Sequence, residues 1–285
     1  MKNTRKIKGL LRLFRVELPL AAGLCVLAGA LIATGDTSDP QRLLLGFLVG
    51  FFLSSAALIL NDYFDVESDK INAPQRPIPS GAVTPTEVLL LTMLTTSIGL
   101  AAAVLISIPA FTIAVLFWVI GIIYNWKAKE TGLPGNLLVS SSVAITFIFG
   151  GITMGHPWNT MVWFFAVIVF FIDLGEEIAS GAMDIEGDKK RKSQSVALTK
   201  GTQFAIHLAS ALFLLVILIS IIPFILHWFG IPYLLMILLM DTIILISTLL
   251  LLRSSSPHKG RLYLRVIYLG ATISLLAFLI GQSLT

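Results

Sequence analysis

Long apolar runs separated by short polar stretches dominate the chain, and the runs are continuous rather than period two, which argues for helices over an alternating-strand barrel. A hydrocarbon core of ~30 Å asks for about 20 apolar residues per helix. Nine segments answer that description: 18–34, 43–60, 88–107, 111–124, 137–154, 161–180, 204–228, 232–252 and 262–282. The fourth is short, and the sixth carries acids. The pattern predicts an all-α polytopic membrane protein, nine transmembrane helices around a central cavity open to the cytoplasm, folded as one domain over residues 1–285.

Composition agrees. With 56% hydrophobic and 13% charged residues, the chain is too apolar for a soluble domain, whose charged share is nearer ~25%. Threading nine spans in order puts 19 of the 20 basic residues on one side, with only Arg42 opposite. Positive charge stays cytoplasmic, so the N-terminus and the loops after even-numbered helices are expected there, in the cell membrane. The net charge of +4 then follows from topology and anionic headgroups and calls for no nucleic acid. The basic start before 18–34 is not expected to be a cleaved signal, since that run exceeds an ordinary signal core and eight more follow. Cys25 is the single cysteine, which excludes an internal disulfide, and four scattered histidines do not suggest a metal site.

Two polar clusters stand at the ends of apolar runs. Asn61, Asp62, Asp65 and Asp69 close the second, and Asp184 and Asp188 close the sixth; Asp65 and Asp184 are 119 residues apart. In a helix, Asn61, Asp65 and Asp69 fall at successive i+4 positions and line one face, and Asp184 and Asp188 repeat the spacing. Stacked carboxylates repel unless a cation sits among them. A hard divalent ion, Mg2+, is the simplest occupant, and because Mg2+ keeps coordination sites for phosphate oxygens, two such clusters predict a clamp on a diphosphate. The recurrence of Asp-aliphatic-Glu-small-Asp-Lys suggests an internal repeat, about 1–130 and 131–285. Within the sixth span, Asp173 and Glu177 continue the spacing toward Asp184 and are expected to line a hydrated cavity. Asp241 is read as a bonded structural residue or a cavity rim.

Asn61-Asp-x-x-Asp65-x-x-x-Asp69 followed by Arg76-Pro-Ile-Pro-Ser-Gly81 resembles the first signature of the UbiA superfamily of intramembrane prenyltransferases, and Asp184-x-x-x-Asp188 is similar to its second. The resemblance implies an enzyme that uses Mg2+ to bind and ionise an allylic prenyl diphosphate and passes the prenyl group to a membrane-associated acceptor. Within the superfamily the first motif is most similar to that of archaeal digeranylgeranylglyceryl phosphate synthases. That likeness implies transfer of a geranylgeranyl group from geranylgeranyl diphosphate to the sn-2 hydroxyl of geranylgeranylglyceryl phosphate, a phosphate-bearing lipid acceptor. The family commonly has Lys-Asp where this chain has Ser180 and Gly181, so the second cluster lacks an aspartate one turn before Asp184, a loss for which Glu177 could partly compensate.

The chemistry assigns Asn61, Asp62, Asp65 and Asp69 to one ion and Asp184 and Asp188 to the other, with Asp65, Asp184 and Asp188 central to ionisation. Arg76, on a proline-flanked loop, is the best diphosphate clamp, because a planar guanidinium binds phosphate oxygens in pairs. Tyr124 to Lys129 is similar to the Tyr-to-Lys stretch that family members use near phosphates, and Lys127 and Lys129 remain alternatives. Arg15 could bind phosphate of either substrate or a headgroup, and Lys190, Arg191 and Lys192 are read as membrane anchors. Tyr63, Phe64 and Tyr124 are candidates for facing the carbocation. Two other readings keep the motifs: prenylation of an aromatic or tetrapyrrole acceptor on the same fold, and divalent-cation transport.

Overall fold

The computed structural model describes residues 2–190, 193–254 and 256–283; Arg191 and Lys192 lie outside the described residues. Every regular element among them is helical: α1 (Lys2–Leu13), α2 (Glu17–Thr34), α3 (Pro40–Phe64), α4 (Val66–Asn72), α5 (Pro85–Ile106), α6 (Ile108–Trp126), α7 (Leu133–Thr153), α8 (Thr160–Met183), α9 (Ile185–Lys190), α10 (Val196–Lys200), α11 (Thr202–Ser220), α12 (Ile222–Ile225), α13 (Ile231–Leu252) and α14 (Pro257–Ser283), with one 3₁₀ turn at Ala128–Glu130. Among the described residues, seven segments are long and apolar enough to cross a membrane, drawn from α1–α2, α3, α5, α6, α7, α11–α12 and α13. The acid-bearing α8 and the polar-headed α14 are helices of 24 and 27 residues.

Helix starts follow local chemistry. Pro85 and Pro109 stand in the first turns of α5 and α6, where a missing N–H is harmless. Thr84 and Glu87 close a reciprocal capping box on α5. The run expected to be one helix over 204–228 instead stops at Ser220 and resumes as the short α12. Pro223 is the reason: it supplies no N–H and its ring clashes with the carbonyl four residues back. The short fourth run is extended by the structure to 19 residues.

The chain packs as two compact units, Met1–Lys129 with Thr146–Asn159, and Glu130–Ile145 with Thr160–Thr285. In the first, Val26, Val49, Ala103 and Phe149 form one apolar core, while Leu13, Ile59, Ile78, Val83 and Val88 form another beneath the loop after α4. Gly29 and Gly150 let α2 and α7 meet backbone to backbone, since a methyl group on either would strike the other helix's main chain. In the second unit, Phe213, Ile178, Ile244 and Leu251 lie at the centre of a core drawn from α8, α10, α11, α13 and α14.

Candidate active site

The first acidic cluster departs from the single continuous helix expected of it. α3 ends at Phe64 and α4 starts at Val66, leaving Asp65 as the joint with φ −89° and ψ 4°. The i to i+4 bonding nevertheless runs through, Asp65 N–H to the Asn61 carbonyl at 2.9 Å and Asp69 N–H to the Asp65 carbonyl at 2.8 Å, so the stripe survives the bend. Asp62, Asp65 and Asp69 are all buried, at 3%, 8% and 6% exposure. Three buried carboxylates would be prohibitive alone, and each has a cation.

Arg15 pairs with Asp62, Lys129 pairs with Asp65, and Arg76 Nη1 lies 2.6 Å from Asp69 Oδ2 and 3.6 Å from Asp62 Oδ1. Of the two lysines, Lys129 pairs into the cluster from the 3₁₀ turn, while Lys127 is exposed just past α6. Arg15 sits at the α1–α2 joint with φ 42°, a left-handed conformation rarely taken by a non-glycine residue. Arg76 is held by a tight loop in which its N–H bonds the Ala73 carbonyl and its carbonyl accepts from Ser80, above buried Pro77 and Ile78. Burial works against the Arg76 charge, but the hydrogen bond it donates to Asp69 and the negative field of Asp69, Asp62 and Asp65 outweigh it and raise its pKa.

Sequence reasoning missed Asn125, which is 4% exposed in the last turn of α6. Asn61 Nδ2 donates to Asn125 Oδ1 at 2.8 Å, and Asn125 Nδ2 donates to the Ala57 carbonyl at 3.1 Å. A buried amide ending an otherwise apolar helix was the available signal. Tyr124 beside it is half-buried. Tyr63 and Phe64 stack edge to face at 5.6 Å, and Tyr63 packs on the core around Leu13 and Val88.

The second cluster lies in the other unit and repeats the break: α8 ends at Met183, α9 begins at Ile185, and Asp184 is the joint, its carbonyl accepting the Asp188 N–H at 2.9 Å. The face expected to run unbroken from Asp173 to Asp188 is therefore interrupted at Asp184. A methyl group at Gly187 would come within 2.7 Å of Asp184 Oδ1, so only glycine leaves that carboxylate where it is. Arg261 of α14, counted from sequence only as a topological charge, donates to the Met183 carbonyl at 2.8 Å and stands 3.9 Å from Asp184. A Cβ at Gly181 would sit 3.8 Å from Asp188 Oδ2 and 3.6 Å from Ser195 Cβ, which locates the departure in the second motif directly beside Asp188. Glu177 lies in the field of Asp173, Glu176 and Asp188, and Ser140 Oγ donates to Asp173 at 2.8 Å. Asp241 Oδ2 accepts from Ser220 Oγ at 2.8 Å.

Among the described residues, no three His, Cys, Asp or Glu side chains converge as a ready-made metal cage. Mg2+ does not need one, because it binds through one or two carboxylates plus substrate phosphates and water. The oxygen donors suit a hard ion, with Asp62, Asp65 and Asp69 buried; Arg15, Arg76 and Lys129 pair with them here, so an arriving ion would share these carboxylates with the three cations.

Residues 22–278 match the UbiA prenyltransferase family. Similar curated proteins include the digeranylgeranylglyceryl phosphate synthases of Saccharolobus solfataricus, 31% identical over 97% of both chains, and of Methanococcus vannielii, 34% identical over 97% of this chain and 98% of the other. A solved structure described as giving insight into digeranylgeranylglyceryl phosphate synthase in membranes superposes with a TM-score of 0.76 at 31% identity, covering 98% of this chain and 99% of that one. The fold is also that of a UbiA homolog from Archaeoglobus fulgidus bound to GPP and Mg2+, with a TM-score of 0.75 at 18% identity over 97% of this chain and all of the other. With the match running from residue 22 to residue 278 and full-length relatives above 30% identity, the protein belongs to the UbiA prenyltransferase family.

Proposed function

We propose that this enzyme transfers a geranylgeranyl group from geranylgeranyl diphosphate to the sn-2 hydroxyl of geranylgeranylglyceryl phosphate, forming an ether lipid, with Mg2+ as cofactor. The observation that carries the reading is the buried, charge-balanced turn of Asp62, Asp65 and Asp69 with Arg15, Arg76 and Lys129. Likeness to several synthases of that activity supports the choice of acceptor over an aromatic or tetrapyrrole one. Membership in an enzyme family weighs against cation transport.

When bound, Mg2+ supplies positive charge to the departing diphosphate. Asn61, Asp62, Asp65 and Asp69 would hold one ion and Asp184 and Asp188 a second, with Glu177 supporting Asp188. Arg76 presents a planar, paired-donor face to phosphate oxygens, and Arg15 and Lys129 add positive charge beside it. Their present carboxylate partners keep these three side chains ordered, so little rotamer freedom is lost when phosphate arrives. The site is proposed to open to the cytoplasm, in a chain crossing the membrane nine times, α8 and α14 included.

The deciding experiment incubates purified protein with labelled geranylgeranyl diphosphate, Mg2+ and either geranylgeranylglyceryl phosphate or a hydroxybenzoate acceptor, and identifies products by mass. The ether phospholipid is expected. Prenylated aromatic with no ether would overturn the acceptor assignment. Asp65→Ala and Asp184→Ala should each abolish turnover in folded, membrane-inserted protein, and normal turnover in either removes that cluster from the chemistry.

A further inference from the structure

A side-chain amide has a donor end and an acceptor end of almost the same shape, so an asparagine is a dependable cation ligand only if something fixes which end faces out. In this chain the fixing can be traced to a group whose polarity is not in question. The Ala57 carbonyl can only accept, so the end of Asn125 that meets it at 3.1 Å is the NH2. The opposite end of Asn125 is then its carbonyl oxygen, which can only accept. The end of Asn61 that meets this oxygen at 2.8 Å is in turn an NH2, which leaves Asn61 Oδ1 as the end turned away from Asn125. Two consecutive constraints, starting from one backbone carbonyl of α3, thus set the orientation of an amide one turn before Asp65.

We infer that Asn125 is a positioning residue for cation binding: through this relay it presents the oxygen of Asn61, not its nitrogen, to the divalent ion. The relay rests on the reading that Asn61 serves that ion. Burial of Asn125 at 4% exposure fits the role, because a buried amide that lost either contact would carry an unpaired polar group, so the wrong flip is penalised at both ends. Outer contacts of this kind change metal affinity by about 10 to 100-fold when removed.

The arrangement predicts an unusual dependence on background. In Asn125→Leu, Asn61 loses its acceptor and can turn either end outward, and binding of Mn2+ alone, read by electron paramagnetic resonance on protein in nanodiscs, should weaken about tenfold or more. In Asn61→Asp both side-chain ends are oxygens and orientation no longer matters. There the Asn125 oxygen faces a carboxylate, so Asn125→Leu should cost no Mn2+ affinity. Equal weakening in both backgrounds would mean that Asn125 acts through packing, and the inference fails while Asn61 remains a ligand. Unchanged Mn2+ binding in Asn61→Ala would remove Asn61 as a ligand and the inference with it. Asn125→Ala covers the case in which the leucine variant does not fold: it removes both contacts without added bulk, so Mn2+ affinity should again fall about tenfold in the native background and not in Asn61→Asp, and unchanged affinity in the native background overturns the relay.

Discussion

Asp65 and Lys129 are 64 residues apart in sequence and paired in the fold, with side chains only 10% and 12% exposed. Removing one member of such a pair leaves an uncompensated charge and costs about 3–5 kcal/mol. Lys127, exposed two residues earlier, has no such burden. Lys129→Ala should therefore lower both thermal stability and kcat/KM for prenyl diphosphate, whereas Lys127→Ala should stay within about 0.5 kcal/mol of the parent. Melting in detergent and steady-state kinetics on the two variants check this, and equal losses would contradict the assignment. Sequence reasoning named both lysines because spacing from Tyr124 does not say where a chain leaves a helix; the 3₁₀ turn at Ala128–Glu130 makes the choice. The carboxylates were legible because buried-helix chemistry leaves few reasons for stacked acids. Asn125 and Arg261 were not, since each acts on a residue distant in sequence, Asn61 and Asp184.

At the scale of elements, hydropathy located the long helices within a few residues but not their interruptions. α3 to α4 and α8 to α9 break at Asp65 and Asp184; i+4 bonding runs through Asp65, whereas the Asp184 N–H reaches only the Gly181 carbonyl at 3.4 Å, and apolar periodicity gives no sign of either joint. The break at Ile221 could be anticipated from Pro223 alone. The second joint depends on a glycine. Alanine at Gly187 would place its methyl 2.7 Å and 2.9 Å from the two Asp184 oxygens, too close for carbon and oxygen. Because the obstructing atoms end a side chain, Asp184 will rotate away rather than α9 unfold. Gly187→Ala should keep its helical circular dichroism and melting temperature and raise the Mg2+ concentration needed for half-maximal activity by about tenfold. A variant that loses helicity, or one with unchanged Mg2+ dependence, would show that Asp184 is not held by this contact.

For the whole molecule, the proposed orientation rests on charge that no single helix carries. All but one of the 20 basic residues fall on one side when nine spans are threaded, and that bias requires α8 to cross despite Asp173, Glu176 and Glu177. Counting α8 as a surface helix would invert every loop after it and divide the basic residues between the two faces. The threading places Gln75, exposed in the loop that carries Arg76, in the cytoplasm, and Trp158, 80% exposed between α7 and α8, outside. Cys25 is the only native cysteine, so a Cys25→Ala background gives clean single-thiol reporters. In intact cells a membrane-impermeant maleimide should label Trp158→Cys and leave Gln75→Cys untouched until the membrane is opened. Labelling of Gln75→Cys alone would reverse the orientation and place the acidic turn of Asp62, Asp65 and Asp69 on the outer face, whereas labelling of both would contradict the three crossings, α5, α6 and α7, that separate them.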